Sequence, residues 1–167
     1  GTSSMEVTGG IVIGAIVAVN ALGDIIDFKT NQIVAGARSI QKGPIKIGKD
    51  NVFADTLSIM QSKLGQVSLT IAGKQNTIIG VIATNASLDK EGANNFAEAA
   101  SNGIAITTRP AFTTFDGDTI FSLATGGKHV DLNLLCAFAP LVFAEAMLNA
   151  VNHAEPAGGL PSAQSLS

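Results

Sequence analysis

The feature that most constrains the fold of this chain is an unbroken apolar, β-branched run from Thr77 to Thr84 (TIIGVIAT). β-branched side chains favour extended backbone. A run without polar alternation is typical of a strand that is covered on both faces of its sheet. A second run of this kind extends from Ile11 to Val19. The sequence therefore predicts a sheet with little contact with solvent.

Helical spacing of apolar residues marks three further segments. Val52 to Leu64 has a three- and four-residue apolar rhythm. Ser87 is the predicted N-cap of a helix that ends near Ile106. The apolar segment from Val130 to His153 predicts one long helix or a pair divided near Pro140, because proline lacks the donor that a helix interior needs. Strands and helices are mixed, so we expect an α+β domain.

Turn-forming residues separate these elements. Thr119 to Ala124 is a predicted strand, and Gly126-Gly127 is predicted to end it. Residues 31–51 have the Gly and Pro signals of a loop, and residues 66–72 predict a weak strand or a loop. The Gly-, Pro- and Ser-rich tail, residues 155–167, is predicted to be flexible.

The composition predicts a domain that hides much of its surface. Hydrophobic residues make up 46% of the 167 residues and charged residues only 14%. Such a chain suits close packing against other segments or other chains, so we expect a homo-oligomer. The net charge of −3 and the scattered basic residues do not favour nucleic-acid binding.

Two apolar stretches need comparison with membrane-spanning segments. Gly9 to Leu22 is shorter than the roughly 20 residues that a spanning helix needs. Leu132 to Val151 is interrupted by polar residues and a proline. We therefore expect both stretches to be core elements of a protein without a membrane contact.

The lone Cys136 has no partner for an internal disulfide and is expected to be buried as a small apolar residue. Nothing in the sequence requires an oxidising compartment, and we expect a cytoplasmic protein. His129 and His153 lack the spacing of metal ligands, so no metal site is predicted.

Thr77 lies where the polar stretch Gly73-Lys74-Gln75-Asn76 meets the buried strand. Cleavage before Thr77 would create an α-amine next to the threonine hydroxyl. An α-amine has a pKa of about 8, so it can accept the hydroxyl proton near neutral pH. One residue would then supply both nucleophile and base. A threonine that opens a strand is also ordinary, and that structural interpretation stays open here.

Three other side chains fit the same chemistry. Asp116 and Asp118, separated by one glycine, could orient a hydroxyl or an ammonium, although Asp-Gly is also common turn chemistry. Asn20 lies at the end of an apolar strand, where its amide could stabilise an oxyanion or simply cap the strand.

Taken together, these segments resemble the family of β-peptidyl aminopeptidases, D-aminopeptidase/L-aminopeptidase-esterases and nylon-oligomer (6-aminohexanoate oligomer) hydrolases. The resemblance follows the family's order over nearly the whole chain. The segments that carry it are Gly1-Thr2-Ser3-Ser4, residues 13–23 (IGAIVAVNALG), residues 76–86 (NTIIGVIATNA), Arg109-Pro110 and residues 115–126 (FDGDTIFSLATG). Thr77 with Thr84-Asn85-Ala86 is also similar to the cleavage segment of the ornithine acetyltransferases.

The resemblance implies a precursor that cuts itself before a serine or threonine and folds as a four-layer αββα sandwich of the N-terminal-nucleophile type. By position it makes Thr77 the nucleophile and Asn76 the residue whose carbonyl Thr77 attacks during maturation. Asn20 would stabilise the oxyanion, and Asp116 and Asp118 would orient the nucleophile and its amine. Threonine with two aspartates at this spacing is similar to the nylon-oligomer branch.

The resemblance also divides the chain. Residues 1–76 would be the C-terminal part of the α-chain region and residues 77–167 the β-chain region, together one domain. The family's N-terminal portion, with the catalytic lysine of the nylon-oligomer branch, has no counterpart here. We therefore expect a partial fold, completed by the missing N-terminal segment or a complementary chain.

The function implied is a self-processing amide hydrolase that acts through an acyl-enzyme on a small peptide or oligoamide and needs no metal or organic cofactor. Two alternatives remain at this point. One is acyl transfer of the ornithine acetyltransferase kind, and the other is a non-catalytic fragment or scaffold of the same fold.

Overall fold

A computed structural model describes residues 1–40, 52–62 and 76–166. Its strands are β1 (Thr2–Thr8), β2 (Ile11–Asn20), β3 (Asp24–Asp27), β4 (Gln32–Ala35), β5 (Thr77–Ala86), β6 (Thr108–Arg109) and β7 (Thr119–Lys128). Its α-helices are α1 (Thr56–Gln61), α2 (Lys90–Thr107) and α3 (Leu132–Asn152). The weak strand or loop predicted over residues 66–72 lies outside the described residues.

The main sheet has four strands in the order β1-β2-β5-β7. β1, β2 and β5 pair antiparallel, whereas β7 runs parallel to β5 after the crossover through α2. The two apolar runs predicted as strands are the central pair, β2 and β5. The edge strand β1 was not predicted, because its polar residues lack an apolar run of the same kind.

Helices α2 and α3 cover one face of the main sheet, here called the helix face. The largest fully buried side chains of the core include Ile13, Ile78, Ile82, Phe96, Ile104, Leu135, Phe143 and Met147. Alternate residues of the same strands form the other face, here called the open face. Its exposed apolar side chains include Val12, Ile16, Ile79, Phe121 and Leu123. Within the described ranges, then, the predicted doubly covered strands are covered on one face only.

A small antiparallel sheet, β4-β3-β6, lies beside this core. Its residue Asp24 is buried and accepts hydrogen bonds from the main-chain nitrogen and the hydroxyl of Thr56 at 2.6 and 2.7 Å. This carboxylate therefore fixes α1, which is shorter than the helix predicted from Val52 to Leu64. Leu64 itself lies outside the described residues. β4 also corrects the loop prediction for residues 31–51, whose part beyond residue 40 is likewise not described.

The prediction that Ser87 is the N-cap of this helix is wrong. The N-cap of helix α2 is Asp89, two residues later, whose carboxylate accepts a hydrogen bond from the Gly92 nitrogen. Ser87 instead bonds the sheet: its nitrogen donates to the Lys128 oxygen and its hydroxyl accepts from the Gly127 nitrogen. The reason is that Ser87 directly follows β5 and hydrogen-bonds to β7, since the pairing of these two strands extends beyond the apolar run.

The predicted strand end at Gly126-Gly127 is also wrong. β7 continues to Lys128, and its pairing with β5 shifts register between Thr84 and Ala86. Both glycines have positive φ angles of 78° and 98°, a conformation that glycine adopts without steric cost. The pair therefore forms an irregularity inside the strand and does not end it.

α3 is one helix with Pro140 inside it, so the alternative of a divided pair is not observed. By length and apolar composition alone α3 could cross a membrane. In the structure it packs against α2, β1 and β2, and these tertiary contacts compensate for the helical hydrogen bond that Pro140 cannot donate. The tail contains a short 3-10 turn, Ala163–Ser165, and its predicted flexibility stays a prediction.

Candidate active site

Strand pairing places Asn20 directly opposite Thr77. The two residues are antiparallel partners at the end of the β2–β5 ladder. Side chains of directly opposed residues share a face, with Cβ atoms about 4.5–5.5 Å apart. By strand alternation this is the open face, on which Ile16 and Ile79 also lie. The sequence placed these two residues 57 positions apart (77 − 20), and the ladder brings them together.

The Thr77 hydroxyl lies against the peptide bond predicted to be cut. Its Oγ1 donates to the Asn76 carbonyl oxygen at 2.7 Å. The Gly117 main-chain nitrogen donates to the same carbonyl oxygen at 3.1 Å. A Cβ atom added to Gly117 would lie only 3.1 Å from the Thr77 hydroxyl oxygen. Gly117 therefore leaves space beside this hydroxyl that a side chain would fill.

Asp118 binds the backbone directly after Thr77. Its Oδ1 accepts a hydrogen bond from the Ile78 nitrogen at 2.7 Å. Partial burial raises the pKa of the Asp118 carboxyl above its ordinary value, the Ile78 bond opposes this, and the charge of Asp116 raises it further. The carboxylate therefore occupies a place that a strand carbonyl would otherwise take, and its two neighbours act on its pKa in opposite directions.

Asp116 is held in a turn and paired with Asn76. Its Oδ2 accepts from the nitrogen and the hydroxyl of Thr113 at 2.7 and 2.9 Å, while Asp116 and Asn76 form an isolated parallel bridge. The turn and the site interpretations are thus compatible, because the turn that holds this carboxylate places the Asp116 backbone beside Asn76, immediately before Thr77. Thr113 was missed; its position three residues before an aspartate is a known signal for such a side-chain turn.

The Asn76 amide nitrogen is buried and has no hydrogen-bond partner among the described residues. An unpaired buried amide costs about 1–3 kcal/mol. The described residues leave this amide, immediately before Thr77, without a hydrogen bond.

The other candidates stand apart from this cluster. Among the described residues no three His, Cys, Asp or Glu side chains are grouped as metal ligands would be. The His153 ring lies 2.9 Å from the Asn149 carbonyl oxygen at the end of α3. Cys136 is half-buried, and desolvation raises the pKa of its thiol, so the thiol stays protonated near neutral pH.

Comparison with known proteins places this geometry in a family. Peptidase family S58 matches residues 1–164 of the chain. The chain belongs to peptidase family S58. The resemblance expected from the sequence is thereby confirmed at the level of the family.

Among its relatives, the S58 chain is 33% identical over 181 residues to an uncharacterized aminopeptidase of Mycobacterium bovis, covering 97% of this chain and 50% of the relative. An uncharacterized aminopeptidase of Mycobacterium leprae is 31% identical over 182 residues, with 97% and 46% coverage. The chain thus spans about half the length of the curated relatives it matches.

Two solved structures share the fold. The L-aminopeptidase D-Ala-esterase/amidase of Ochrobactrum anthropi, described as a variant of the Ntn hydrolase fold, superposes with a TM-score of 0.57 at 22% identity, covering 96% of this chain and 42% of that chain. A Burkholderia β-aminopeptidase gives 0.51 at 21% identity, with 90% and 40% coverage. The predicted N-terminal-nucleophile fold class is confirmed.

Within this S58 fold, the structure brings Thr77, Asn20, Asp116 and Asp118 to one end of β5. A hydroxyl lies beside a carbonyl, an amide lies across the ladder, and two carboxylates flank a glycine that bonds the carbonyl. A hydroxyl, an amide and two carboxylates are the kinds of group that acyl transfer to a hydroxyl uses. The printed contacts of the two carboxylates go to Ile78 and Thr113 and not to the Thr77 hydroxyl.

Proposed function

We propose that this S58 chain is part of a self-processing amide hydrolase in which Thr77 becomes the N-terminal nucleophile. The observation that carries the proposal is the 2.7 Å contact between the Thr77 hydroxyl and the Asn76 carbonyl oxygen. This contact holds the nucleophile beside the bond that maturation would break. Attack on the Asn76 carbonyl carbon closes a five-membered ring, which is a favourable size for an intramolecular reaction.

The first stage is self-cleavage. The Thr77 oxygen forms a bond to the Asn76 carbonyl carbon, the Asn76–Thr77 carbon–nitrogen bond breaks, and the hydroxyl proton ends on the Thr77 nitrogen. Water then hydrolyses the resulting ester. The products are a carboxyl group on Asn76 and a free amine on Thr77.

The second stage is turnover. The Thr77 hydroxyl attacks a substrate amide while its own amine accepts the proton. Asn20, opposite Thr77 in the ladder, donates to the oxyanion, and Asp116 with Asp118 keeps the hydroxyl and amine aligned. Water releases the acyl group. The aminopeptidase names of the relatives support a peptide or small oligoamide as the substrate class.

The proposal includes a covering segment for the open face. Ile16, Ile79 and Phe121 on this face are each more than half exposed. Exposed apolar clusters of this kind mark contact surfaces. Since the chain spans about half the length of its relatives, the segment proposed to cover them is a further part of the S58 protein or a complementary chain.

Intact mass spectrometry of the full natural chain, purified and incubated at neutral pH, tests the proposal. We expect two fragments, the second beginning at Thr77, whose masses add to the intact mass plus one water. Thr77→Ala should stay uncut. Cleaved protein should then hydrolyse an amino-acid anilide, and an acetylated amino acid offered with a free amine acceptor should not be converted by acyl transfer.

An intact wild-type chain after prolonged incubation would contradict the proposal and favour the non-catalytic scaffold. Equal cleavage of wild type and Thr77→Ala would assign the cut to a contaminating protease. Efficient transfer to the amine acceptor would instead favour the acyltransferase alternative.

A further inference from the structure

We propose that the main-chain N–H of Gly117 stabilises the oxyanion that forms on the Asn76 carbonyl oxygen during self-cleavage; this inference rests on the proposed function. Among the described residues two donors contact that oxygen, the Gly117 nitrogen at 3.1 Å and the Thr77 hydroxyl at 2.7 Å. Of these two, the Gly117 donor is the one that can keep its bond during the reaction. The Thr77 oxygen has to turn from the carbonyl oxygen to the carbonyl carbon when it attacks.

The Gly117 donor is fixed before the reaction begins. Asn76 and Asp116 pair as a parallel bridge, and Gly117 follows Asp116 immediately. On the other side β7 begins at Thr119, which pairs with Ile79. A donor that is already oriented costs no reorganisation as negative charge develops, and this is the property that makes oxyanion donors effective.

Between these two pairings, at residues 117 and 118, a side chain takes part in the hydrogen bonding of the strands. The Ile78 nitrogen donates to the Asp118 side chain and not to a main-chain carbonyl. Asp118 therefore holds the strand that carries Thr77, while the Gly117 N–H is left to the Asn76 carbonyl. Asp118 and Gly117 thus contact the backbone one residue after and one residue before Thr77.

The absence of a side chain at Gly117 also favours the attack of the Thr77 hydroxyl on the Asn76 carbonyl carbon. A Cβ atom there would lie 3.1 Å from the Thr77 oxygen and 3.7 Å from the Asn76 oxygen. Contacts near 3.1 Å are tighter than ordinary van der Waals distances. A side chain would therefore crowd the hydroxyl as it moves towards the carbonyl carbon.

The two proposed oxyanion donors have separate tasks. The Gly117 N–H contacts the Asn76 carbonyl, which leaves the reaction after self-cleavage. Asn20 lies across the β2–β5 ladder, on the open face from which a substrate amide would reach mature Thr77. Loss of the Gly117 donor should slow self-cleavage, and loss of the Asn20 amide should slow turnover.

The test replaces Gly117 with glycolic acid in the semisynthetic full natural chain, which exchanges one amide for an ester. The exchange removes the N–H, weakens the Asp116 carbonyl as an acceptor and changes no side chain. We expect self-cleavage, followed by intact mass, to slow by about 10²–10³-fold, the effect typical of losing one oxyanion donor. The matched control is the same exchange at Gly127, whose N–H donates to the Ser87 hydroxyl at the other end of β7. The control should cleave at the wild-type rate.

Cleavage of the Gly117 ester within twofold of wild type would overturn the inference while leaving the proposed function intact. Failure of wild type itself to cleave would contradict the proposed function instead. If the ester chain does not fold, the bond is measured directly in Thr77→Val by the NMR coupling between the Gly117 nitrogen and the Asn76 carbonyl carbon. A detectable coupling supports the inference, and its absence overturns it.

Discussion

The helix face and the open face of the main sheet are built from the same strands but differ in what covers them. On the helix face, Ile13 and Ile82 are fully buried under α2 and α3. On the open face, Ile16 is 58% exposed and Phe121 is 59% exposed. Both faces are apolar, so hydrophobicity alone does not distinguish them. In the part of the chain that the structure describes, α2 and α3 cover the helix face, and no helix covers the open face.

This difference separates the residues that stabilise the fold from the residues of the candidate active site. Thr77 and Asn20 lie on the open face by strand alternation, whereas the large buried side chains lie on the helix face. A nucleophile has to be reached by substrate and water, and the covered face has no room for either. We therefore expect substitutions on the helix face to change the free energy of unfolding, and substitutions near Thr77 to change rates.

The largest effect is expected for Phe143→Ala on the helix face. Phe143 is fully buried, so its truncation should lower the free energy of unfolding by about 3–5 kcal/mol. Denaturant unfolding of the full natural chain, made in the uncleaved Thr77→Ala background, measures this. Phe121→Ala is the matched variant on the open face.

The proposed covering segment predicts a result for Phe121→Ala. If that segment packs on the open face, Phe121→Ala should cost nearly as much as Phe143→Ala, because both rings are then enclosed. A loss below about 0.5 kcal/mol, as for ordinary surface substitutions, would show that the open face is solvent-exposed in the full chain and would contradict this part of the proposal.

The next effect is on turnover and concerns Asn20. Asn20→Ala should lower the rate of amide hydrolysis by cleaved protein by about 10²–10³-fold, because one oxyanion donor is lost. The matched control is Asn85→Ala. Asn85 belongs to the same strand as Thr77, at its far end, and bonds the Val12 nitrogen and the Gly10 oxygen at 2.9 Å each.

Asn85→Ala should leave the hydrolysis rate unchanged and lower the free energy of unfolding by about 0.5–1.5 kcal/mol. Steady-state kinetics beside thermal unfolding would separate the two results. Equal rate losses in both variants would show that the effect of Asn20→Ala arises from the sheet and not from an oxyanion contact.

The smallest effect is a shift in pH dependence. Asp118 has a pKa raised above 3.8 by partial burial and by the charge of Asp116. The proposed role needs its carboxylate, so self-cleavage should fall as pH falls through this raised pKa. The stability contribution has the opposite sign: a raised carboxyl pKa favours folding at low pH, and this contribution is lost as pH rises through the folded-state pKa.

Asp116→Asn removes the neighbouring charge but keeps an oxygen that can accept from Thr113. The acid limb of the self-cleavage rate should therefore move to lower pH. Single-turnover cleavage rates between pH 3 and 7, followed by intact mass, measure the limb. A limb that moves to higher pH, or stays in place, would show that the Asp116 charge does not act on Asp118.

Much of this fold was readable from local sequence. The β-branched runs predicted β2 and β5, because β-branched side chains favour extended backbone. The motifs around Thr77, Asp116 and Asn20 named the candidate site residues, because their resemblance to a family is carried by short contiguous segments. Their proposed roles remain predictions that the experiments above test.

Other features could not be predicted from the sequence, because they depend on partners distant in sequence. Ser87 was predicted as a helix cap, yet its bonds go to Gly127 and Lys128 on β7, which no local pattern reveals. The donor that Gly117 supplies to the Asn76 carbonyl is a main-chain nitrogen, which carries no side-chain signal. Only the parallel pairing of β7 with β5 placed it there.

The sequence by itself determined which residues form the central strands and which side chains could carry chemistry, since both follow from residue type and short-range spacing. The tertiary structure decided which strand end meets which loop. That meeting sets the hydrogen bonds of Gly117 and Asp118 on the backbone of Asn76 and Ile78. Hydrogen bonds act only over about 3 Å, so the geometry of this site follows from long-range pairing and not from composition.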